Sequence, residues 1–308
     1  MEHPMLISLH PGNVLKKYDP LKAFRMLADN GIEAIQFGLG GLFFPNTDVL
    51  GHKPNVMDGS LEEIQELMLP YREAARQTGV KISQVHAPFP MYWYGDEELN
   101  ARMAPIMLKS IALTAFMDCD HCIIHPGFAA KNPERFDPEK EHALNIAMYT
   151  AMIPTAKQYG VTILLENMFG RGDEGTRFAG ACSDFYEAAA YVDELNALTG
   201  EELFGFCFDT GHAHLARQNL YRAVKIMGCR IKALHIQDNA GHLDDHMIPY
   251  TGSVDWEGFL KGLKEIGYKG DLNFEAPRYI NRAPEALWSE CLHMLGSVGR
   301  VFREELTK

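Results

Sequence analysis

Eight short apolar runs alternate with eight amphipathic stretches along this chain, and few architectures accommodate that pattern. The runs MLISLH (5–10), IEAIQFGL (32–39), VKISQVHAPF (80–89) and HCIIHPG (121–127) read as strands, as do VTILLENM (161–168), FGFCFDTGHA (204–213), IKALHIQDN (231–239) and DLNFEAP (271–277). Helical spacing follows each of them, at 20–30, 60–78, 97–117, 138–159, 183–195, 219–228, 255–267 and 285–305. Near-continuous apolar strands are those of a parallel sheet buried on both faces. Glycines 31, 79, 160, 228 and 267 stand where helix C-caps belong. No Pro/Gly/Ser-rich linker and no shift of composition divides the chain, so residues 1–308 are predicted to form a single-domain (β/α)8 TIM barrel. A barrel of about 250 residues with insertions fits this length. A doubly wound sheet would also alternate, but it brings a glycine-rich phosphate loop after an early strand. The stretch GLGGLFFPN (38–46) lacks that spacing and its Lys.

Charge narrows the partners. Lys and Arg number 29 against 41 Asp and Glu, a formal net charge of −12. A protein that grips a nucleic-acid backbone advertises a basic face, so a small molecule and a metal ion are the simpler expectation. No run of about 18 apolar residues suggests a membrane span, and MEHPMLISLHPG does not resemble a secretion signal. The six cysteines are scattered, as in a reduced, cytoplasmic protein. CDHC (119–122) has no second pair, and its thiols are expected to be free and buried.

Every strand from the third onward closes on a side chain that can bind metal or move a proton. These are His86 (QVHAP), His125 (IIHPG), Glu166 (LLENM), Asp209 and His212 (FDTGH), His235 (LHIQD) and Glu275 (NFEAP). Taken singly, a strand-end His is more often a hydrogen-bonded core residue than a ligand. In a barrel, however, all these ends face one mouth. A carboxylate there is costly to bury unpaired, and a divalent cation relieves that cost. Glu166, Asp209, His235 and Glu275 lie on neighbouring strands five to eight and can close on one ion. Their oxygen-rich set suits Mn²⁺, Mg²⁺ or Co²⁺ and accommodates Zn²⁺.

The order LLENM, FDTGH, LHIQD, NFEAP resembles the sugar isomerase/epimerase superfamily with a xylose-isomerase-like barrel, which also contains endonuclease IV. The resemblance covers essentially the whole chain. It implies one divalent metal on Glu166, Asp209, His235 and Glu275, with Glu166 and Glu275 also serving as the acid/base pair. One would remove the proton beside the substrate carbonyl and the other return it, through a metal-stabilised enediol. His212 matches a position that contacts a substrate oxygen. The implied partner is a sugar or related polyhydroxy carbonyl compound. Two positions depart from the ketose 3-epimerases: Gly241 replaces an Arg six residues after the metal His, and Gly172 replaces a second Glu, with Glu174 out of register. The endonuclease IV branch implies three zinc ions on His86, His125, Glu166, Asp209, His212, His235, Asp244, His246 and Glu275, and all nine residue types are present. Dehydration of an inosose-type substrate would use the same proton abstraction. A non-catalytic binding protein is the remaining alternative, against which both glutamates are retained.

The loop HAPFPMYWYG (86–95) offers Phe89 and Trp93 as a stacking wall for a sugar face. It is equally suited to burial, or to a protomer contact in a homo-oligomer. Arg171 and Arg177 are candidates for an anionic group on the substrate, and Ser253 or Asp255 is expected to cap the next helix. In LHIQDNAGHLDDHMIPYTG (234–252), Asp238, His242 and Asp245 receive no ligand role.

Overall fold

Strand side chains alternate between two environments, and here the alternation separates a helix-facing core from a barrel interior. The computed structural model describes residues 5–40, 55–127, 137–171 and 177–308. Most of the loop after strand two, together with Gly172 and Glu174, lies outside them. The barrel strands are β1 (Ile7–Leu9), β2 (Ala34–Gly38), β3 (Lys81–His86), β4 (His121–Ile123), β5 (Thr162–Glu166), β6 (Phe204–Asp209), β7 (Ile231–His235) and β8 (Leu272–Phe274). They form one parallel sheet in the order β8-β1-β2-β3-β4-β5-β6-β7. A parallel bridge between Ile236 and Phe274 joins its ends, where the Ile236 N–H donates to the Asn273 carbonyl at 2.8 Å. The expected TIM barrel is therefore the observed fold.

The outer layer comprises α1 (Pro20–Asp29), α2 (Leu61–Thr78), α3 (Glu97–Phe116), α4 (Pro138–Tyr159), α5 (Phe185–Thr199), α6 (Leu220–Met227), α7 (Trp256–Glu265) and α8 (Trp288–Thr307). In α7, Trp256, Phe259, Leu260 and Leu263 recur at helical spacing and are buried. Asp255 caps that helix by accepting from the Gly258 N–H at 3.0 Å. β6 shows how the two environments are served. Phe204, Phe206 and Phe208 join the helix-facing core, while Cys207 joins Ile123, Leu164 and Ala233 inside the barrel. Phe208 stacks between Phe185 and Phe259 at centroid distances of 5.1 and 5.8 Å. Burial of each such ring contributes about 1.5–3 kcal/mol.

Several boundaries differ from the sequence expectation for physical reasons. The run 204–213 is strand only to Asp209, whose carboxylate accepts from the His212 N–H at 2.6 Å and caps a short helix, Thr210–Leu215. α5 runs past 195 to a left-handed Gly200. Residues 285–287 form a 3-10 turn, so α8 begins at Trp288. Gly79 and Gly160 are left-handed C-caps as expected, and Gly31 and Gly267 follow the caps Asn30 and Ile266. Cys119 and Cys122 are free and buried, and burial pushes the Cys122 thiol up to about 12. Among the described residues no helix is long and apolar enough to cross a membrane.

Candidate metal centre

Four donors from consecutive strands meet at the C-terminal mouth of the barrel. Glu166 and Asp209 are the last residues of β5 and β6, His235 is the last of β7, and Glu275 directly follows β8. The inward phase of each strand places these side chains on the interior side of the wall. His235 Nδ1 lies 3.0 Å from Glu166 Oε1, 3.3 Å from Glu275 Oε2 and 3.8 Å from Asp209 Oδ2. One ligand atom from each of the four falls within 4.8 Å of all the others.

The remaining strand-end residues surround this group. On one side, His86 Nε2 is 3.0 Å from His125 Nε2, and His125 Nε2 is 2.9 Å from Glu166 Oε2. On the other, Asp244 Oδ2 lies 3.0 Å from His246 Nε2 and 3.5 Å from His212 Nε2. His246 Nδ1–H donates to the Glu275 carbonyl at 2.9 Å. All nine residues singled out in the sequence thus gather at one mouth. Phe89 stands there too, its ring 5.1 Å from that of His125 and 39% exposed. Trp93 instead packs on the hydrophobic core, and its N–H donates to Asn100 Oδ1 at 2.8 Å. Arg177 lies 5.7 Å over the Phe169 ring, which in turn lies 5.1 Å from the His212 ring.

The loop after β7 has a separate anchor. Asp238, buried, accepts four hydrogen bonds: Oδ1 from the Asn239 and Val254 N–H groups at 2.9 and 3.1 Å, and Oδ2 from Gly252 N–H and Trp256 Nε1–H, both at 3.0 Å. A Cβ on Gly252 would meet Asp238 Oδ1 at 2.3 Å, so only glycine fits there. Asp245 pairs with Arg278, and His242 is exposed. Asp238→Ala would strand three buried donors at once, together with the N–H of the exposed Gly252. The variant's stability should fall by about 3 kcal/mol or more, read as a lower urea midpoint, and an unchanged midpoint would refute the anchor.

A family model described as a xylose isomerase-like TIM barrel matches residues 24–297. The chain belongs to that family. It is 26% identical over 274 residues to a protein named "Probable endonuclease 4" from Halalkalibacterium halodurans, covering 85% of this chain and 80% of the relative. It is 27% identical over 131 residues to a ketose 3-epimerase of Arthrobacter globiformis, covering 39% and 42%. Its matches to the uncharacterized proteins y4fM of Sinorhizobium fredii and MJ1311 of Methanocaldococcus jannaschii span only 26% and 63% of their lengths. Among solved structures, a D-tagatose 3-epimerase-like protein shares the fold with a TM-score of 0.69 at 20% identity, over 98% of both chains. The IolI protein, solved with a bound zinc atom, shares it with a TM-score of 0.66 at 18% identity, also over 98% of both.

The chemistry of the donor set in this xylose isomerase-like barrel fits a divalent cation. Asp209 Oδ2 is buried with no hydrogen-bond donor, a costly state that a cation held with Glu166, His235 and Glu275 would relieve. Burial pushes the Asp209 carboxyl up to about 7, with Glu166 and Glu275 adding to the shift against His212 and His235. Burial acts the same way on Glu166, yet His235 and His125 outweigh it and hold that pKa well below the carboxylate range. Glu275 is likewise held at about 2, because His235 and His246 outweigh burial. His235 is raised well above the imidazole range, its burial outweighed by Cys207, Glu166 and Glu275. His212 and His246 are raised in the same direction, their burial outweighed by Asp244 and the neighbouring carboxylates, whereas burial holds His125 below the imidazole range.

Residues that the motifs did not reveal hold this geometry. Asn167 clamps Asp209 through both main-chain groups, Oδ1 accepting from its N–H and Nδ2 donating to its carbonyl, each at 2.9 Å. Gln237 Nε2 donates to Asp244 Oδ1 at 2.7 Å. A Cβ on Gly211 would strike the Gln237 amide at 2.2 Å, so the short helix after β6 needs glycine there. Asn167 and Gln237 each directly follow or nearly follow a strand-end ligand, and this adjacency was the available signal.

Proposed function

We propose that this protein is a metal-dependent isomerase or epimerase of a small sugar or sugar derivative. The observation that carries the reading is the convergence of Glu166, Asp209, His235 and Glu275 within 4.8 Å of one another at the barrel mouth. A divalent cation held by these four would supply Lewis-acid polarisation of a carbonyl oxygen. Glu166 and Glu275 then act as the proton-transfer pair, one taking the proton beside the carbonyl and the other returning one to the resulting enediol. His212, 3.3 Å from Glu166 Oε1 through Nδ1, is assigned to a substrate oxygen. Phe89 supplies an exposed ring at the edge of the site. The likeness to a ketose 3-epimerase supports the same reaction class, and dehydration of a polyol-derived ketone would use the same proton abstraction.

A second reading has its own observation. His86 and Glu166 form a second ligand-spaced group with His235, and Asp244 Oδ2 lies 3.0 and 3.5 Å from His246 and His212, residues that a trinuclear-zinc endonuclease IV-like enzyme would need. The net charge of −12 weighs against a DNA substrate. So does the engagement of nearby cations, since Arg278 pairs with Asp245 and Arg177 lies over Phe169. Elemental analysis of the purified protein separates the readings. One Mn²⁺-like ion per chain, with solvent deuterium entering ketoses beside the carbonyl, is the expected result. Three zinc ions with cleavage of abasic DNA would overturn it.

A further inference from the structure

TIM-barrel interiors are usually filled by branched apolar side chains, but one sector of this one is filled by amides and hydroxyls. Ser8 of β1, Gln36 of β2, Gln84 of β3 and Asn273 of β8 are all buried inside the wall. Ser83 Oγ, on the wall of a cavity of about 910 Å³, lies 2.8 Å from Ser8 Oγ. Ser8 Oγ–H donates to Asn273 Oδ1 at 2.9 Å, and Asn273 Nδ2 donates to Gln36 Oε1 at 2.9 Å. Gln84 Nε2 donates to the same Gln36 oxygen at 3.1 Å. Gln36 Nε2 then donates to Glu275 Oε1 at 3.0 Å. A continuous hydrogen-bonded ladder therefore climbs the interior and ends on one oxygen of one candidate ligand.

The carboxylate at the end of the ladder fixes the direction of its last step. Glu275 can only accept, so the Gln36 NH₂ must face it, and Gln36 Oε1 is left to receive the N–H groups of Asn273 and Gln84. With Glu275 Oε1 engaged, the other oxygen, Oε2, is the one within 3.3 Å of His235 Nδ1 and 3.6 Å of His246 Nδ1. Buried amides are costly unless bonded, and no fully buried side-chain nitrogen or oxygen of these five ladder residues is left without a partner. An apolar sector would fill the same volume without that demand.

We propose that Gln36 is a positioning residue, which through its Nε2–H···Oε1 bond holds Glu275 so that only Oε2 is presented to the bound metal. This rests on the metal-centre reading above. Partners of this kind beneath a metal ligand change affinity by about 10–100-fold when removed. The test is a Mn²⁺ titration of metal-stripped full-length wild type, Gln36→Met and Asn273→Leu, with the visible absorption of the Co²⁺ forms and the melting temperature of each stripped form. Gln36→Met should bind Mn²⁺ about 10–100-fold more weakly, with an altered Co²⁺ spectrum. Asn273→Leu, one link removed, should show a smaller loss in the same direction. A Gln36→Met protein that melts lower but keeps the wild-type Mn²⁺ affinity and Co²⁺ spectrum would overturn the proposal, because a merely structural role predicts that result. If Gln36→Met does not fold, the Asn273→Leu affinity decides in the same way. Wild type that binds neither ion sinks the metal-centre reading and this inference with it, whereas tight wild-type binding with an unaltered variant sinks the inference alone.

Discussion

Glu166→Gln and Glu275→Gln should each cut turnover by about 10²–10⁴-fold while the barrel stays folded. Glutamine preserves the shape and one oxygen donor of the side chain but cannot take up a proton. Glu166 faces four imidazoles, with Nε2 of His125 and His86 at 2.9 and 3.6 Å and Nδ1 of His235 and His212 at 3.0 and 3.3 Å. Glu275 shares His235 with it from the far side of the barrel seam. An amide at either place keeps the crowding and removes the basicity. Glutamine fills the same volume and can still accept from the surrounding imidazoles, so neither variant should unfold the protein, although each loses the attraction that holds its carboxyl low. Circular dichroism and a melting curve check the fold, and deuterium exchange beside the substrate carbonyl checks the chemistry. Wild-type exchange in either variant would eliminate the two-glutamate mechanism.

The site was legible because a strand's period of two survives in the letters. In TILLE, the outward Ile163 and Leu165 alternate with the inward Leu164 and Glu166, and FGFCFD repeats the arrangement with Cys207 and Asp209. Such strand-end ligands can be placed on one mouth before any coordinates exist. What stayed hidden depends on closure. Gln36 and Glu275 are separated by nearly the whole chain and touch because β8 pairs with β1, and β1 with β2. No local pattern tells an inward glutamine on β2 that its partner is a glutamate after β8. The strand-to-helix switch at Thr210 is hidden for a different reason: Asp209 reads as a strand-end ligand in the run 204–213, and its second use as a helix cap shows only in the fold. Composition alone also could not separate Phe89, beside His125, from Trp93, which lies on the core.

Stripping the metal should lower stability by about 3–4 kcal/mol relative to protein held at 100–1,000 times the dissociation constant. The cause lies in how far apart the ligands are in sequence and how close in space. Glu166, Asp209, His235 and Glu275 come within 4.8 Å only when four strands are assembled, so the unfolded chain offers no comparable site. Without a cation the folded state must keep three carboxylates, two of them fully buried, crowded at one point. The cost is visible in Asp209, which burial and its acidic neighbours push up to about 7, and whose Oδ2 has no donor. Binding a cation replaces that repulsion with attraction and stabilises the folded state alone. Melting curves of chelator-treated protein with and without added Mn²⁺ measure the effect, and Asp209→Ala should abolish the metal-induced shift. A stripped protein whose melting temperature ignores Mn²⁺, Co²⁺ and Zn²⁺ alike would mean that the four-residue cluster holds no metal, and the acid/base assignment would then have to stand without a Lewis acid.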